Sequence, residues 1–132
     1  MKRFMLDMNT VSYLIKAHPS VVARVRAVPM ASFCISAITE GELQFALARR
    51  PTATRLACLV REFLLRVDVR PWGRSCALTY GKLSAGMEVN GRVLGSLDLL
   101  IAAHAMDAGL TLVSSDHALK HVPNLQLEDW TG

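Results

Sequence analysis

The sequence predicts an α/β fold: a central, mostly parallel, twisted sheet flanked by helices. Three observations carry that expectation. Short apolar runs of strand length, such as residues 3–6 and 33–36, alternate with longer segments of helical period. The prolines, at Pro19, Pro29, Pro51, Pro71 and Pro123, fall at the boundaries of those segments. The 132 residues suffice for one domain with a core of its own, and no internal repeat, low-complexity tract or linker divides them.

Taken in order, Arg3 to Leu6 read as a short buried strand that stops at Asp7. Helices are expected over Thr10 to Ala17 and Pro19 to Val28, then a strand over Phe33 to Ser36. Ile38 to Arg49 is rich in helix formers. Thr52 to Arg66 carries an apolar stripe at Leu56, Leu59, Val60, Phe63 and Leu64, which is one helix face. Val67 to Val69 suits a strand, and Arg74 to Glu88 a helix that stops near Asn90-Gly91. Leu97 to Ala108 is apolar on nearly every side, so a buried helix is predicted, closed by Gly109. Strands over Leu110 to Val113 and Leu125 to Leu127 complete the pattern.

Composition narrows the function classes. A chain that is 52% hydrophobic and 20% charged reads as compact, not disordered. It contains no apolar run of membrane-spanning length, and the opening stretch meets Asp7 before a signal-peptide core forms, so a cytoplasmic protein without membrane attachment is expected. Cys34, Cys58 and Cys76 are odd in number and widely spaced. They predict small core residues and not a disulfide framework or a zinc site. Net charge is +4 and the pI about 9.3, which suits a polyanionic or acidic partner. The arginines fall in scattered groups, each of which alone reads as a solvated face.

Four acids sit where elements begin or end. Asp7 follows the first strand, Glu42 is placed in the first turn of the helix after the second, Asp98 opens the buried helix, and Asp116 follows the strand ending at Val113. In a parallel sheet, strand C-termini and the N-termini of the following helices share one edge, so the four carboxylates can converge there. Converging carboxylates repel one another, and a hard divalent cation, Mg²⁺ or Mn²⁺, relieves that repulsion. Such an ion activates water and neutralises a scissile phosphate. Each acid also has a purely structural reading. Asp7 or Asn9 suits the cap of the first helix, Thr39 and Glu42 match a capping box, Asp98 behind a Ser96 cap suits the helix dipole, and Asp116 suits the cap of a turn running through Lys120.

Four segments together resemble the VapC-type PIN-domain ribonucleases over nearly the whole chain. These are FMLDMNTVSYLIK, CISAITEGELQFA, GRVLGSLDLLIAAHAMDAGLTLVSSD and HVPNLQLEDW. The resemblance implies a single PIN-like domain over 1–132 and a catalytic metal site of Asp7, Glu42, Asp98 and Asp116, with Asn9 and Ser114 in support. Glu40 is the decoy, because the family's acid directly precedes the leucine. Met8, Ser114 and Leu119 depart from the family's usual threonine, threonine and phenylalanine, and no proposed ligand is lost. The resemblance further implies Mg²⁺- or Mn²⁺-dependent cleavage of a structured RNA such as transfer RNA, leaving 5′-phosphate and 3′-hydroxyl ends. It implies a homodimer, the toxin of a type II toxin–antitoxin pair, held by a VapB-like antitoxin through which alone operator DNA is contacted. A non-catalytic PIN-fold module acting in DNA binding or regulation is the alternative, although no basic recognition helix is evident in the sequence.

Other residues read as structural. His104, midway along an apolar helix, reads as a buried histidine with a hydrogen-bond partner, and Trp130 as a residue closing the core. Trp72 suits either packing or base stacking, and Arg92 either phosphate contact or solvent.

Overall fold

The computed structural model describes residues 2–132. Its elements are β1 (Phe4–Leu6), α1 (Met8–Ile15), α2 (Pro19–Arg26), β2 (Phe33–Ser36), α3 (Ala37–Arg49), α4 (Thr54–Arg66), β3 (Asp68–Arg70), α5 (Arg74–Val89), α6 (Ser96–Ala108), β4 (Thr111–Val113) and β5 (Leu127–Glu128). Short 3₁₀ segments lie at Met30–Ser32 and His117–His121. The strands form one sheet in the order β3-β2-β1-β4-β5, and every pairing is parallel.

Alternation along the strands divides the core into two halves. Met5, Cys34 and Leu112 point to one side and meet Ile101, Ala102 and Ala105 of α6 with Leu83 and Met87 of α5. Phe4, Leu6, Phe33, Ile35 and Val113 point to the other and meet Val11, Val21, Leu43 and Val60 of α1 to α4. Trp130 closes this second half, 1% exposed, with its ring edge-on to Phe4 at 5.1 Å. Its indole Nε1 donates to Glu128, whose carboxylate also pairs with Lys2 and Arg24.

The strand order places a topological switch point between β1 and β4. The chain leaves β1 toward β2 and β3, then returns past it to β4 and β5. The crevice beyond the C-terminal ends of two such strands is where open α/β sheets gather functional groups. Here Leu6 pairs with Val113, so Asp7 and Ser114 emerge side by side.

Most boundaries lie within two residues of the sequence expectation, and the departures trace to capping. α1 starts at Met8 and not Thr10, because Asp7 caps it. α3 is capped by Ser36, whose hydroxyl accepts from the Ile38 amide at 3.1 Å, so the Thr39–Glu42 capping box does not form. Glu42 therefore stands in the second turn, and Glu40 takes the first. α6 is capped by Gly95 without a side-chain bond, and Ser96 is already helical. Of the cysteines, Cys34 and Cys76 are buried as expected, but Cys58 is exposed on α4.

Candidate active site

Asp7 is the most tightly fixed of the acids. It is 9% exposed, and its Oδ1 accepts the Thr10 amide at 2.8 Å. Its own amide donates to the Val113 carbonyl at 3.1 Å, which the Thr10 hydroxyl also reaches at 3.0 Å. The carboxylate is thus locked where β1, α1 and β4 meet. Oδ2 is left for other partners.

Glu42 comes from α3. Its Oε1 is buried and has no hydrogen-bond partner. Burial pushes its pKa up to about 7, aided by the negative charges of Asp98 and then Asp7. Asp98 lies in the first turn of α6, where the helix dipole favours an anion. Its pKa is nonetheless raised to about 6, first by burial, then by the charge of Asp116 and a hydrogen bond shared with it, then by Asp7. At half-buried positions of this kind, mutual repulsion adds to the cost of desolvation.

Asp7, Glu42 and Asp98 line one small hollow of about 50 Å³ with Met8, Asn9 and Ile101. Asp116 is not in its wall and joins the group through Asp98. Asp116 also caps the 3₁₀ turn, Oδ1 accepting the Ala118 amide at 3.0 Å. Ser114 accepts the Asp116 amide at 3.0 Å and so braces that loop, away from the hollow itself. Among the described residues, no three His, Cys, Asp or Glu side chains enclose a common point at ligating range. Asp7, Glu42 and Asp98 share the wall of one hollow. They stand around it without converging on a single atom position.

Two residues that hold the acids in place were not singled out in the sequence. Thr10 anchors Asp7 through both its amide and its hydroxyl. Ser36 joins α3 to α6, since its Oγ lies 2.8 Å from His104 Nδ1 while also capping α3. A serine at a strand-to-helix junction is a capping signal that could have marked Ser36. The bond to His104 spans 68 residues and leaves no local trace. His104 is buried and partnered, as expected. Trp72 donates its Nε1 to the Leu100 carbonyl at 3.0 Å and packs on Tyr80, so it serves the structure. Arg92 is exposed.

Fold and site together define an α/β protein that gathers carboxylates at the switch point of a parallel sheet. The family model of the PIN domain matches residues 4–125. A Rickettsia felis protein named ribonuclease VapC2 is 31% identical, with 96% of this chain and 97% of that protein covered. A Shigella flexneri protein named tRNA(fMet)-specific endonuclease VapC is 30% identical, with 99% and 100% covered. The structure of DNA-bound VapBC from Salmonella typhimurium superposes with a TM-score of 0.91 at 30% identity, covering 98% of this chain and 99% of that one. The chain belongs to the PIN-domain family and, within it, to the VapC ribonucleases. Among the described residues, no helix is long and apolar enough to cross a membrane.

Proposed function

We infer that the protein is an Mg²⁺- or Mn²⁺-dependent endoribonuclease acting as the toxin of a VapBC-type pair, with Asp7, Glu42, Asp98 and Asp116 as its catalytic carboxylates. The observation that carries this reading is the buried, unpartnered Oε1 of Glu42 in a hollow shared with Asp7 and Asp98. An isolated carboxyl oxygen in that setting is costly, and a hard cation is the partner that best answers an all-oxygen donor set. The raised pKa values of Glu42 and Asp98 point the same way, since each acid is waiting for positive charge. When bound, the ion supplies an activated water and neutralises charge on the scissile phosphate.

The chain's own residues set the geometry. Thr10 fixes Asp7, so one donor is held rigid. The Ser36–His104 bond ties the helix bearing Glu42 to the helix bearing Asp98, so the spacing of those two acids is set by the core. Asp116 stands close enough to Asp98 for its charge to raise the Asp98 pKa, so a cation held at Asp98 would answer both carboxylates. Asn9, exposed at the hollow's rim, is placed to hydrogen-bond a phosphate or ribose oxygen.

The Shigella relative's name makes transfer RNA the first substrate class to try. The Salmonella neighbour is a DNA-bound VapBC, which supports a VapB-like antitoxin partner here; a homodimeric toxin that reaches operator DNA only through that antitoxin completes the proposal. The test is cleavage of total RNA with end mapping, comparing wild type with Asp7→Asn and Asp98→Asn. Cuts leaving 5′-phosphates in wild type alone are expected. Equal cutting by all three proteins would refute the assignment.

A further inference from the structure

A second cleft, about 170 Å³ in volume, opens between α1, α3 and α4 on the far side of Met8. Met8 lines both this cleft and the acidic hollow, so the two are neighbours on either side of that side chain. Its floor is apolar, and its rim carries Lys16, Arg49 and Arg50 with no Asp or Glu among the lining residues. All three cations are exposed, and none has an ion-pair partner among the described residues. Lys2, Arg24, Arg66 and Arg70, in contrast, are each paired with a carboxylate. The larger apolar cleft, beside Phe63, has Glu62 and Arg66 paired at its edge and so offers no such free charge.

Arg49 is in register with Glu42. Arg49 follows Glu42 by seven residues on α3, two turns along the same face, a rise of about 10.5 Å. Three stacked nucleotides, at roughly 3.4 Å each, cover that span. One turn from Glu42, Phe45 is exposed, with the Arg49 guanidinium 5.0 Å over its ring. An exposed aromatic beside free cations is the combination that single-stranded nucleic acid uses, the ring for a base and the charges for phosphates.

Building on the nuclease reading, we propose that the α1–α3–α4 cleft is the path of the substrate RNA strand beyond the scissile bond, with Lys16, Arg49 and Arg50 carrying its phosphates. Free positive charge on three neighbouring positions favours a polyanion with regular spacing over an acidic protein segment.

The experiment measures binding of fluorescein-labelled bulk transfer RNA to the cleavage-blocked Asp7→Asn protein across a salt series. In that background, Arg49→Gln with Arg50→Gln is expected to flatten the slope of log affinity against log salt by about 1.4 to 1.8, at 0.7 to 0.9 for each phosphate contact. Lys16→Gln, at the C-terminal end of α1, flattens it by about half as much. Arg74→Gln with Lys82→Gln, which removes the same charge from α5, leaves the slope nearly unchanged. Equal flattening by both pairs would mean diffuse attraction and overturn the proposal. So would an unchanged slope together with lost affinity for a polyglutamate peptide, which would make the cleft a protein-docking surface. If the Asp7→Asn parent binds no transfer RNA and wild type cuts none, the nuclease reading itself fails. If binding and cutting persist while the slope stays the same, only the cleft assignment fails.

Discussion

The Thr10 amide donates to Asp7 Oδ1 at 2.8 Å, so the first helix is capped by the same carboxylate that lines the acidic hollow. Capping uses one oxygen and leaves the other. The structural and catalytic readings of Asp7 are therefore compatible, and substitutions can separate them. Asparagine retains a capping oxygen and removes the charge, whereas alanine removes both. Asp7→Asn should melt within a few degrees of wild type yet lose RNA cleavage by at least about a hundredfold. Asp7→Ala should lose cleavage equally and also about 1 kcal/mol of stability. Thermal unfolding beside end-mapped cleavage checks both, and full activity in Asp7→Asn would count against the charge requirement.

Glu42 sets a pH dependence. Its folded-state pKa, about 7, lies above the ordinary carboxyl value, so the folded protein holds this proton more tightly than the unfolded chain. The stabilisation is full below the ordinary value near 4.5 and is lost as pH rises through 7. In a chelator, the melting temperature should therefore fall between pH 5 and 8. Glu42→Gln should flatten the fall and gain about 1 kcal/mol at pH 8, a figure already reduced for a half-exposed group. A profile unaltered by the substitution would show that Glu42 is not strained by its neighbours.

Divalent cation should reverse that strain. At pH 7.5 and a concentration a hundred times the dissociation constant, Mg²⁺ or Mn²⁺ should stabilise wild type by about 2.7 kcal/mol. Asp98→Asn should lose most of the gain, and Asp116→Asn less, because Asp116 reaches the hollow only through Asp98. Calorimetry with and without the ion decides it. Equal gains in wild type and Asp98→Asn would remove Asp98 from the ligand set.

The Ser36–His104 bond should behave as a coupled pair. Ser36→Ala loses a cap and a buried bond and should cost about 1 to 2 kcal/mol. A double-mutant cycle with His104→Gln should give about 1 kcal/mol of coupling. Burial lowers the His104 pKa, so the folded state resists its protonation. The associated stability is present above the ordinary histidine value of 6.5 and is lost as pH falls below it. Additive costs in the cycle would show that the two side chains act independently.

Local patterning made much of this molecule readable. Pro19, Gly109 and the apolar run after Asp98 bound their helices by backbone and solvation effects that act within a few residues. The alternation of strand-length and helix-length segments gives a parallel sheet for the same reason. The acids Asp7 and Asp98 could be chosen because element ends are visible in sequence and parallel topology brings those ends to one edge, whereas Glu42, a turn further into α3 than expected, was preferred to Glu40 on the family resemblance alone. The hollow and its shared charge depend on the order β3-β2-β1-β4-β5, which joins residues about a hundred positions apart through Leu6 and Val113. The cap of α3 was misplaced because Thr39-Glu42 and Ser36 are both plausible signals, and the bond from Ser36 to His104 favours the latter. Which oxygen of an acid is occupied, which is stranded, and which cations lie unpaired beside it are set by contacts between distant segments, and folding alone brings those segments together.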